Sequence, residues 1–431
     1  MAKIERVRFV PYVVVPSEDK TIYSLSNRQA IEGLPQIFWA NNKPWQEANL
    51  WAVERATSSR ASLKTVSSNM NGLLNYANFL EARNVSWFQF PRRKSERCLV
   101  IYRGFLVKLR DSGAISPATA SEYMRNCIMF YHWIKENKLL GEHVPLWREL
   151  PYAFSFFDSH GFNRTITGIT TDLGIPNRQR PGIRLEGNLL PVSSADRESI
   201  LDFVSANGSR ELYLMLATGF FTGMRLGSIC DLKITALAQA VVDPYAPALL
   251  KLAVGPGAQP PIHTKFNVTG HVWMPKALRD ELLEYTATLR RSLRQAKAKK
   301  ENRDLVFLTR FGNSYGRLKS NQSSAINVEM SAIRRKASQK GVEVLRSFRF
   351  HQTRCTFGTE LARLALAVTS DAALVIAVVS DALLHGPNSE ATTFKYIRFV
   401  QTLPVKQALA DKFMAAFSGA DLKVGNNGSR Q

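Results

Sequence analysis

The sequence reads FHQTR at residues 350–354, LHG at 384–386 and TTFKY at 392–396. His351 and Arg354 are three residues apart, so on a helix their side chains lie on the same face. Two such groups can hold one anion from one side. Each segment is common by itself, whereas all three in this order are hard to obtain by chance.

A turn flanked by glycines, TGMRLG at residues 222–227, lies upstream of these segments. An apolar helical stripe that includes Leu212 and Phe220 ends at this turn, and a second stripe begins at Leu226. Arg225 is therefore predicted to lie at a junction between two packed helices. Such a junction is a rigid place from which to present a guanidinium group.

The segments in this order resemble the tyrosine recombinase, or phage integrase, family, whose sites read TGxR, a hairpin lysine, HxxR, LGH and TTxxY. The resemblance covers roughly residues 186–400, with a weaker similarity in residues 45–150. It implies a mainly α fold with a small β-hairpin or sheet (α+β). A helical core-binding (SAM-like) domain and a catalytic domain would form a clamp on DNA.

The resemblance also implies how DNA would be cut. Tyr396 would attack a phosphodiester and stay on the phosphate as a covalent intermediate that retains the energy of the bond. Arg225 and Arg354 would bind the non-bridging oxygens, which gain charge in the transition state. No cofactor is implied: the fixed positive charge replaces a metal ion, and ATP is not needed because rejoining reverses the same step.

Three further residues complete the implied site. His351 would exchange a proton with the nucleophile, Lys265 would protonate the departing 5′-oxygen, and His385 would donate a hydrogen bond to the phosphate. Lys265 matches the family's hairpin lysine best because it lies near the start of the returning strand of a predicted hairpin. Lys251 is the alternative.

One departure from the family pattern lies beside the two arginines. Ser228 stands three residues after Arg225, where the family usually has an acidic residue, so Asp231 is the alternative group that would orient Arg225. Cys355 stands where a histidine often follows the second arginine, Arg354. We expect this second change to be tolerated.

The spacing before the candidate nucleophile departs from the pattern as well. The gap from His385 to Tyr396 is two residues longer than is usual in the family, through the loop at residues 387–390. The TTxxY ending is intact. Tyr396 is therefore preferred over Tyr315 and Tyr285.

The composition of the 431 residues favours a polyanionic partner. The formal net charge is +22 and the sequence pI is near 10.0, which indicates binding to nucleic acid or to an anionic membrane surface. No run of about 18 apolar residues is present, and the N-terminus lacks the apolar region of a secretory signal. Nucleic acid inside the cell remains as the predicted partner.

The cysteines and histidines do not predict a metal site. None of the cysteines has a zinc-binding spacing, and the histidines are scattered along the chain. The cysteines lie in apolar helical contexts and are predicted to be buried free thiols. They are Cys98, Cys127, Cys230 and Cys355.

Periodicity and composition divide the chain into five segments. Residues 1–44 are predicted to be an irregular extension with a short strand, either a DNA-contacting arm or a strap across the next domain. Residues 45–150 contain helical stripes typical of a small bundle, and residues 151–189, rich in Pro, Gly and Arg, are predicted to be an extended linker. Residues 190–402 form the predicted catalytic domain. Residues 403–431 are predicted to be a helix, packed on its own domain or on a neighbouring subunit, and a disordered tail.

Basic residues outside the candidate site are candidates for phosphate contacts. One group follows the first long helix of the bundle, and another lies in the linker, which would run along the duplex or simply be solvated. A further basic run ends the helix predicted at residues 277–300 and is expected to face solvent. The candidate DNA-binding residues are Arg92, Arg93, Lys94, Arg97, Arg178 and Arg180.

The resemblance implies a site-specific DNA recombinase or integrase, in which four protomers act on two duplex sites through 3′-phosphotyrosyl intermediates and a Holliday junction. A mobile element of a bacterium or phage is the implied source, and accessory DNA-bending proteins are further candidate partners. Two alternatives stay open. One is a DNA-binding protein that keeps the fold without the activity, for which Ser228 is the argument. The other is a type IB topoisomerase that relaxes a single duplex.

Overall fold

The computed structural model describes residues 1–16, 21–58, 61–141, 143–157, 163–177, 185–316, 324–386 and 389–417. Within these ranges the protein is mainly α with small antiparallel sheets, as predicted. The chain divides into two compact units, with the boundary between residues 181 and 182. Arg178, Arg180 and the tail at residues 423–431, for which the sequence predicts DNA contact and disorder, lie outside the described residues.

Within its described residues, the first unit combines a helical bundle with three two-stranded antiparallel sheets, which pair β1 with β4, β2 with β3 and β5 with β6. Its described strands are β1 (Lys3–Phe9), β2 (Tyr12–Pro16), β3 (Thr21–Leu25), β4 (Ile31–Phe38), β5 (Glu149–Phe157) and β6 (Asn163–Thr171). Its described helices are α1 (Gln46–Thr57), α2 (Leu63–Arg83), α3 (Cys98–Asp111) and α4 (Pro117–Glu136).

The four helices of the first unit pack around an aromatic core, in which Trp45, Tyr76 and Tyr131 are almost completely buried. Helices α2 and α4 begin at serines, Ser62 and Ser116, whose hydroxyls accept a hydrogen bond from the amide three residues later. Such caps satisfy amides that have no partner inside the helix. The helical stripes of residues 45–150 therefore form a bundle, as their spacing predicts.

Residues 1–44 are more regular than predicted. Strands β1 to β4 lie in this segment, and Ala2 and Ile37 belong to the core of the bundle. The Asn49 side chain on α1 accepts from the amide of Ile37 (2.6 Å) and donates to its carbonyl (3.0 Å), which ties β4 to the helix. Residues 151–189 also contain a hairpin, β5–β6, where the sequence predicts an extended linker.

The second unit consists of helices and one three-stranded antiparallel sheet of order β7–β8–β9. Its described strands are β7 (Val241–Asp243), β8 (Ala246–Val254) and β9 (Gly270–Pro275). Its described helices are α5 (Ser194–Asn207), α6 (Arg210–Thr222), α7 (Leu226–Cys230), α8 (Ile234–Ala238), α9 (Lys276–Ala287), α10 (Leu289–Ala296), α11 (Ser324–Gln339), α12 (Glu343–Ser347), α13 (Gln352–Val368), α14 (Ala372–Ala382) and α15 (Glu390–Phe417).

The two largest apolar clusters among the described residues of the second unit hold its helices and sheet together. The larger one contains α6, whose residues Leu212 to Phe220 are buried on almost every side, together with the sheet and α11. The smaller one joins α13, α14 and α15 through Cys355, Val379 and Tyr396. On α13, Leu364 lies outside this cluster and is half exposed. The candidate active-site residues lie where these two clusters meet.

The helix predicted at residues 277–300 is interrupted, and two arginines of its basic end are buried, whereas Arg290, Lys297, Lys299 and Lys300 are exposed as expected. The hydroxyl of Thr288 caps a new helix, α10, by accepting from the Arg291 amide. The Arg291 side chain is fully buried and donates to backbone carbonyls of the following loop. Arg294 is also buried and pairs with Glu211 at 2.9 Å. These arginines are therefore structural, and the prediction that they face solvent or DNA is wrong.

The last described helix is longer than the predicted C-terminal helix. Helix α15 runs without interruption from Glu390 through Tyr396 to Phe417 and includes Pro404. The nucleophile candidate and the amphipathic segment after residue 403 thus share one helix.

The cysteines agree with the sequence prediction, since all four are buried and unpaired. Among the described residues, no helix has the length and apolar character needed to cross a membrane.

Candidate active site

Arg225 lies at the helix junction that the sequence predicts. Helix α6 ends at Gly223, which has a left-handed backbone with φ of +65°. A Cβ at this position would lie 2.4 Å from the ring of Phe357, so the turn needs glycine for its backbone and for its space. Arg225 follows as the residue before α7, and its side chain is largely buried.

Arg354 connects three parts of the second unit. It lies in the first turn of α13, three residues after His351, and its side chain is almost inaccessible. Its Nη1 donates to the carbonyl of Gly223 at 2.9 Å, and its Nη2 donates to the carbonyl of Leu383 at 2.7 Å. The guanidinium therefore fixes α13 to the end of α6 and to the end of α14.

His385 and Tyr396 come from the turn after α14 and from α15. Leu384 has a left-handed backbone with φ of +49°, and the side chain of His385, the next residue, is almost completely buried. The Nδ1 of His385 lies 2.6 Å from the hydroxyl of Thr393, one turn before Tyr396 on α15. The Tyr396 side chain is completely buried. The TTxxY segment thus orients both the histidine and the tyrosine.

Five side chains converge on one carboxylate, that of Glu186. They are Arg225, His351, Arg354, His385 and Tyr396. The Oε1 atom of Glu186 accepts from Arg354 Nε at 3.1 Å, from His385 Nε2 at 2.7 Å and from the Tyr396 hydroxyl at 3.3 Å.

The second oxygen of Glu186 completes the arrangement. Its Oε2 lies 3.4 Å from Arg225 Nη2 and 3.5 Å from His351 Nε2. Two guanidinium groups, two imidazoles and one phenol therefore surround a single anion. This geometry brings together every predicted catalytic residue except the lysine.

Glu186 is the functional-site residue that the sequence reasoning missed. It lies in the segment predicted to be a linker, far in sequence from its partners, so no local spacing points to it. Two signals in the sequence could have found it. Glu186 is the only acidic residue between Gly174 and Leu190, and Ser228 leaves the site without its usual carboxylate.

The charge of Glu186 is held by its surroundings. Burial alone would raise the pKa of this carboxyl group. Hydrogen bonds from His351 and His385 and the charges of Arg354 and Arg225 outweigh burial and hold the pKa well below its usual range. Glu186 is therefore an anion at every pH near neutrality.

The two buried groups on the other side of the carboxylate stay uncharged. Burial lowers the pKa of His385, so its imidazole is neutral near pH 7 and donates from Nε2 to Glu186 while Nδ1 accepts from Thr393. Burial, reinforced by the negative charge of Glu186, raises the pKa of the Tyr396 hydroxyl. The phenol is therefore protonated in this arrangement.

Lys265 lies in the loop between β8 and β9, outside the cluster around Glu186. It is exposed, and its Nζ lies 4.8 Å from the ring centre of Phe266, which has a left-handed backbone. The alternative, Lys251, lies on β8 and pairs with Asp243 at 3.2 Å. Lys265 is thus the more available of the two, and its role stays a prediction.

The structure corrects the expected partner of Arg225. Asp231 does not orient this arginine, because its carboxylate accepts from Lys233 at 3.2 Å and from the His263 amide at 2.7 Å. Glu186 is the acidic partner of Arg225 instead.

The two alternative tyrosines have structural contacts. Tyr315 donates to Glu329 at 2.8 Å, and Tyr285 donates to Glu211 at 2.8 Å. In the part of the chain that the structure describes, neither hydroxyl forms a hydrogen bond with Glu186. Among the described residues, no group of three or more His, Cys, Asp or Glu side chains is arranged to hold a metal ion.

The basic group in the first unit divides into exposed and structural residues. Arg97 turns inward and donates to the carbonyls of Pro91 and Arg92, at 3.1 Å each. The side chains of Arg92, Arg93 and Lys94 are exposed, although the last two pair with acidic residues.

Comparison with known proteins finds similarity in structure only. No family model matches the chain, and no curated protein matches it. The integrase of the Tn1549 transposon in complex with circular intermediate DNA is similar with a TM-score of 0.49 and 13% identity, over 85% of this chain and 98% of that chain. The lambda integrase bound to DNA has a TM-score of 0.45 and 12% identity, over 82% and 95%. The lambda integrase tetramer bound to a Holliday junction has a TM-score of 0.43 and 14% identity, over 81% and 75%.

Proposed function

We propose that this protein is a site-specific DNA recombinase that cuts and rejoins two duplexes through 3′-phosphotyrosyl intermediates and a Holliday junction. One observation carries the proposal: two guanidiniums and two imidazoles surround a single anion that also touches the hydroxyl of Tyr396. A phosphodiester is an anion that such a site fits. The ordered TGxR, HxxR and TTxxY segments support the same reading.

In the proposed reaction the Tyr396 oxygen attacks the phosphorus atom of one DNA strand. A bond forms between phosphorus and the tyrosine oxygen, and the bond from phosphorus to the 5′-oxygen breaks. The phenol proton passes to His351, and Lys265 protonates the departing 5′-oxygen. A 5′-hydroxyl from a second duplex then attacks the phosphotyrosine, which releases Tyr396 and restores a phosphodiester.

The two guanidiniums stabilise the charge that develops on the non-bridging oxygens. Arg354 is positioned for this role by its backbone contacts, and Arg225 is presented by the glycine turn. Loss of one such contact typically lowers the rate about 10²–10³-fold. His385 adds a neutral donor to the same oxygens.

The resemblance in the motifs extends the proposal to the assembly. Four protomers would act on two DNA sites, with accessory DNA-bending proteins as further partners. The protein would act inside a bacterial cell and would recombine the DNA of a mobile element. Neither a metal ion nor ATP takes part in the proposed steps.

A covalent-trapping assay tests the proposal. The full chain is mixed with nicked or bridging-phosphorothiolate duplexes from the borders of the element that encodes it, in buffer with a chelator, and the products are separated on a denaturing gel. We expect a slowly migrating protein–DNA adduct with the native chain and none with Tyr396→Phe. Tyr315→Phe is the matched control, since its hydroxyl serves Glu329, and it should retain the adduct.

Other results of this assay would support a different function. Salt-sensitive DNA binding without an adduct on any border sequence would indicate a DNA-binding protein without the activity. Relaxation of a single supercoiled duplex without site preference would indicate a type IB topoisomerase. An adduct that persists in Tyr396→Phe would assign the nucleophile to another residue.

A further inference from the structure

The proposed chemistry leaves the acid at the centre of the site unexplained. A phosphodiester presents two charged non-bridging oxygens, and the Glu186 carboxylate presents two charged oxygens to the same set of donors. One oxygen contacts Arg354, His385 and Tyr396, and the other contacts Arg225 and His351. Glu186 therefore occupies the place that the proposed substrate needs.

The turn that carries Glu186 has a sequence that suits its backbone conformation. The Leu185 amide donates to the Leu189 carbonyl at 3.0 Å, which closes the turn. Gly187 and Asn188 both have left-handed backbones, with φ of +66° and +59°. Glycine adopts this conformation freely, and asparagine adopts it more readily than most residues with a side chain. The position of Glu186 is thus built into the fold.

Contacts on both sides of Glu186 fasten this segment to the second unit. The Leu185 side chain is buried in the cluster that contains Tyr396. Beyond the turn, Gln352 donates to the Leu190 carbonyl at 3.0 Å, and Thr356 accepts from the Val192 amide at 3.0 Å. The segment lies along α13, the helix that also carries Arg354.

The nitrogen atoms of Arg354 and His385 that donate to Glu186 are the ones that the protein leaves free for an anion. Two of the three guanidinium nitrogens of Arg354 donate to the carbonyls of Gly223 and Leu383, so Nε is the nitrogen directed at the anion position. In His385, likewise, only Nε2 can donate to an anion, because Nδ1 forms a hydrogen bond with the Thr393 hydroxyl. A phosphate that uses these donors must displace the carboxylate.

We propose that Glu186 is an autoinhibitory residue, whose carboxylate occupies the phosphate position of the resting site and must leave before a DNA phosphodiester can bind. This inference rests on the proposed function, because it takes the phosphate as the substrate group of the site. Glu186 keeps the buried cations paired in the absence of DNA. It also makes access to Tyr396 depend on the movement of the segment from residue 185 to residue 192.

A supporting role for Glu186 is the rival explanation. Ser228 leaves Arg225 without the acidic neighbour that is usual in the resembling family, and Glu186 would supply the missing carboxylate permanently. The contact between Glu186 and the Tyr396 hydroxyl favours inhibition, because a permanent support need not lie against the nucleophile. The two roles predict opposite effects of removing the carboxylate.

The first experiment measures anion binding without DNA. Thermal unfolding of the full chain is followed against inorganic phosphate at constant ionic strength, since a ligand that binds the folded state raises the midpoint. We expect half-saturation in Glu186→Gln at a phosphate concentration about tenfold or more below that of the native chain. Glu360→Gln is the control, because it removes the same charge from an exposed pair with Arg363 on α13 and should match the native chain.

Gly187→Ala tests the same inference while Glu186 and the cations around it keep their charges. A methyl group at this position has ordinary contact distances, the nearest being 3.6 Å from the His351 ring, but alanine is strained at this φ. The turn should loosen and phosphate should bind more tightly than to the native chain. This variant decides the question if Glu186→Gln does not fold.

The DNA-trapping assay separates the two proposals. Autoinhibition predicts that Glu186→Gln forms the Tyr396 adduct faster than the native chain, and a supporting role predicts that it forms more slowly. A stronger phosphate response with no adduct in any variant would support Glu186 as an occupant of an anion site and overturn the recombinase. Equal or weaker phosphate binding in both variants would overturn autoinhibition, whatever the adduct shows.

Discussion

Arg354 shows how a buried cation is stabilised in this site. Its guanidinium is almost inaccessible, and each of its three nitrogens has an oxygen partner: two backbone carbonyls and the Glu186 carboxylate. Removing one partner of a buried pair of charges typically costs about 3–5 kcal/mol, because the other charge remains desolvated. The carboxylate and the guanidinium thus depend on each other until an external anion replaces the carboxylate.

At the scale of single residues, His385 makes the free energy of unfolding depend on pH. Its pKa in the folded state is lowered by burial, so the unfolded chain binds more protons below the ordinary histidine value of about 6.5. The stability that neutral His385 provides is present above that value and is lost as pH falls toward the folded-state pKa. We expect the free energy of unfolding to fall more between pH 8 and pH 5.5 in the native chain than in His385→Asn.

Urea unfolding of both proteins at the two pH values measures this difference. Because the other titrating groups are common to the two chains, subtracting the two pH effects leaves the contribution of His385. An equal loss in both proteins would contradict the neutral, buried imidazole described above.

The sequence predicts most of the site at this scale, and the limit has a physical cause. Arg225, His351, Arg354 and Tyr396 stand out because each belongs to a short pattern whose spacing follows a helix or a turn. Glu186 has no such pattern, since all of its partners are brought to it by tertiary packing. The identity of the acidic partner of Arg225 could therefore not be read from neighbouring positions.

At the scale of elements, the junction between α6 and α7 positions the site. Gly223 ends α6 with a left-handed backbone, its carbonyl receives Arg354 Nη1, and Arg225 follows two residues later. A side chain at Gly223 would meet Phe357 at 2.4 Å and Leu383 at 3.0 Å. Any substitution there displaces both arginines at once.

Gly223→Ala should therefore reduce both stability and adduct formation. Strain at positive φ and overpacking together predict a loss of about 2–4 kcal/mol in the free energy of unfolding. Thermal unfolding and the trapping assay measure the two effects. Gly104→Ala is the matched control, because a Cβ at this position in α3 meets nothing within 4 Å. It should be neutral or slightly stabilising. A Gly223→Ala protein as stable as the native chain would contradict the packing described for the junction.

Elements were predicted best where a long periodic stripe coincides with a clear cap. The stripe of α2 begins at Ser62 and that of α4 at Ser116, and both helices are found. The break at Thr288 escaped prediction because the residues on both sides of it have good helix propensity. The hairpin β5–β6 was not predicted because its two strands are stabilised by pairing with each other along their whole length. The periodicity of a single segment does not reveal such pairing.

At the scale of the whole molecule, the excess of positive charge overstates the number of basic groups that are free to meet the DNA of the proposed function. The formal charge of +22 includes arginines that the fold itself uses. Arg291 and Arg294 are buried and bind carbonyls and Glu211, and Arg97 holds the loop that precedes α3. Only the exposed fraction of the basic residues can release counterions from DNA, so the salt dependence of binding should be smaller than the net charge implies.

The loop before α3 provides a test of this distinction, because an exposed and a structural arginine lie five residues apart. Arg92→Ala should leave the thermal midpoint unchanged and lower the slope of log Kd against log salt by about 0.9 if Arg92 neutralises one phosphate of duplex DNA. Arg97→Ala should lower the thermal midpoint of the first unit, since two carbonyls lose their donor. Fluorescence anisotropy with a labelled duplex over a range of salt concentrations gives the slope, and calorimetry gives the midpoint. If Arg92→Ala left the slope unchanged, Arg92 would not contact the phosphate backbone. The first unit would then bind DNA through other residues or not at all.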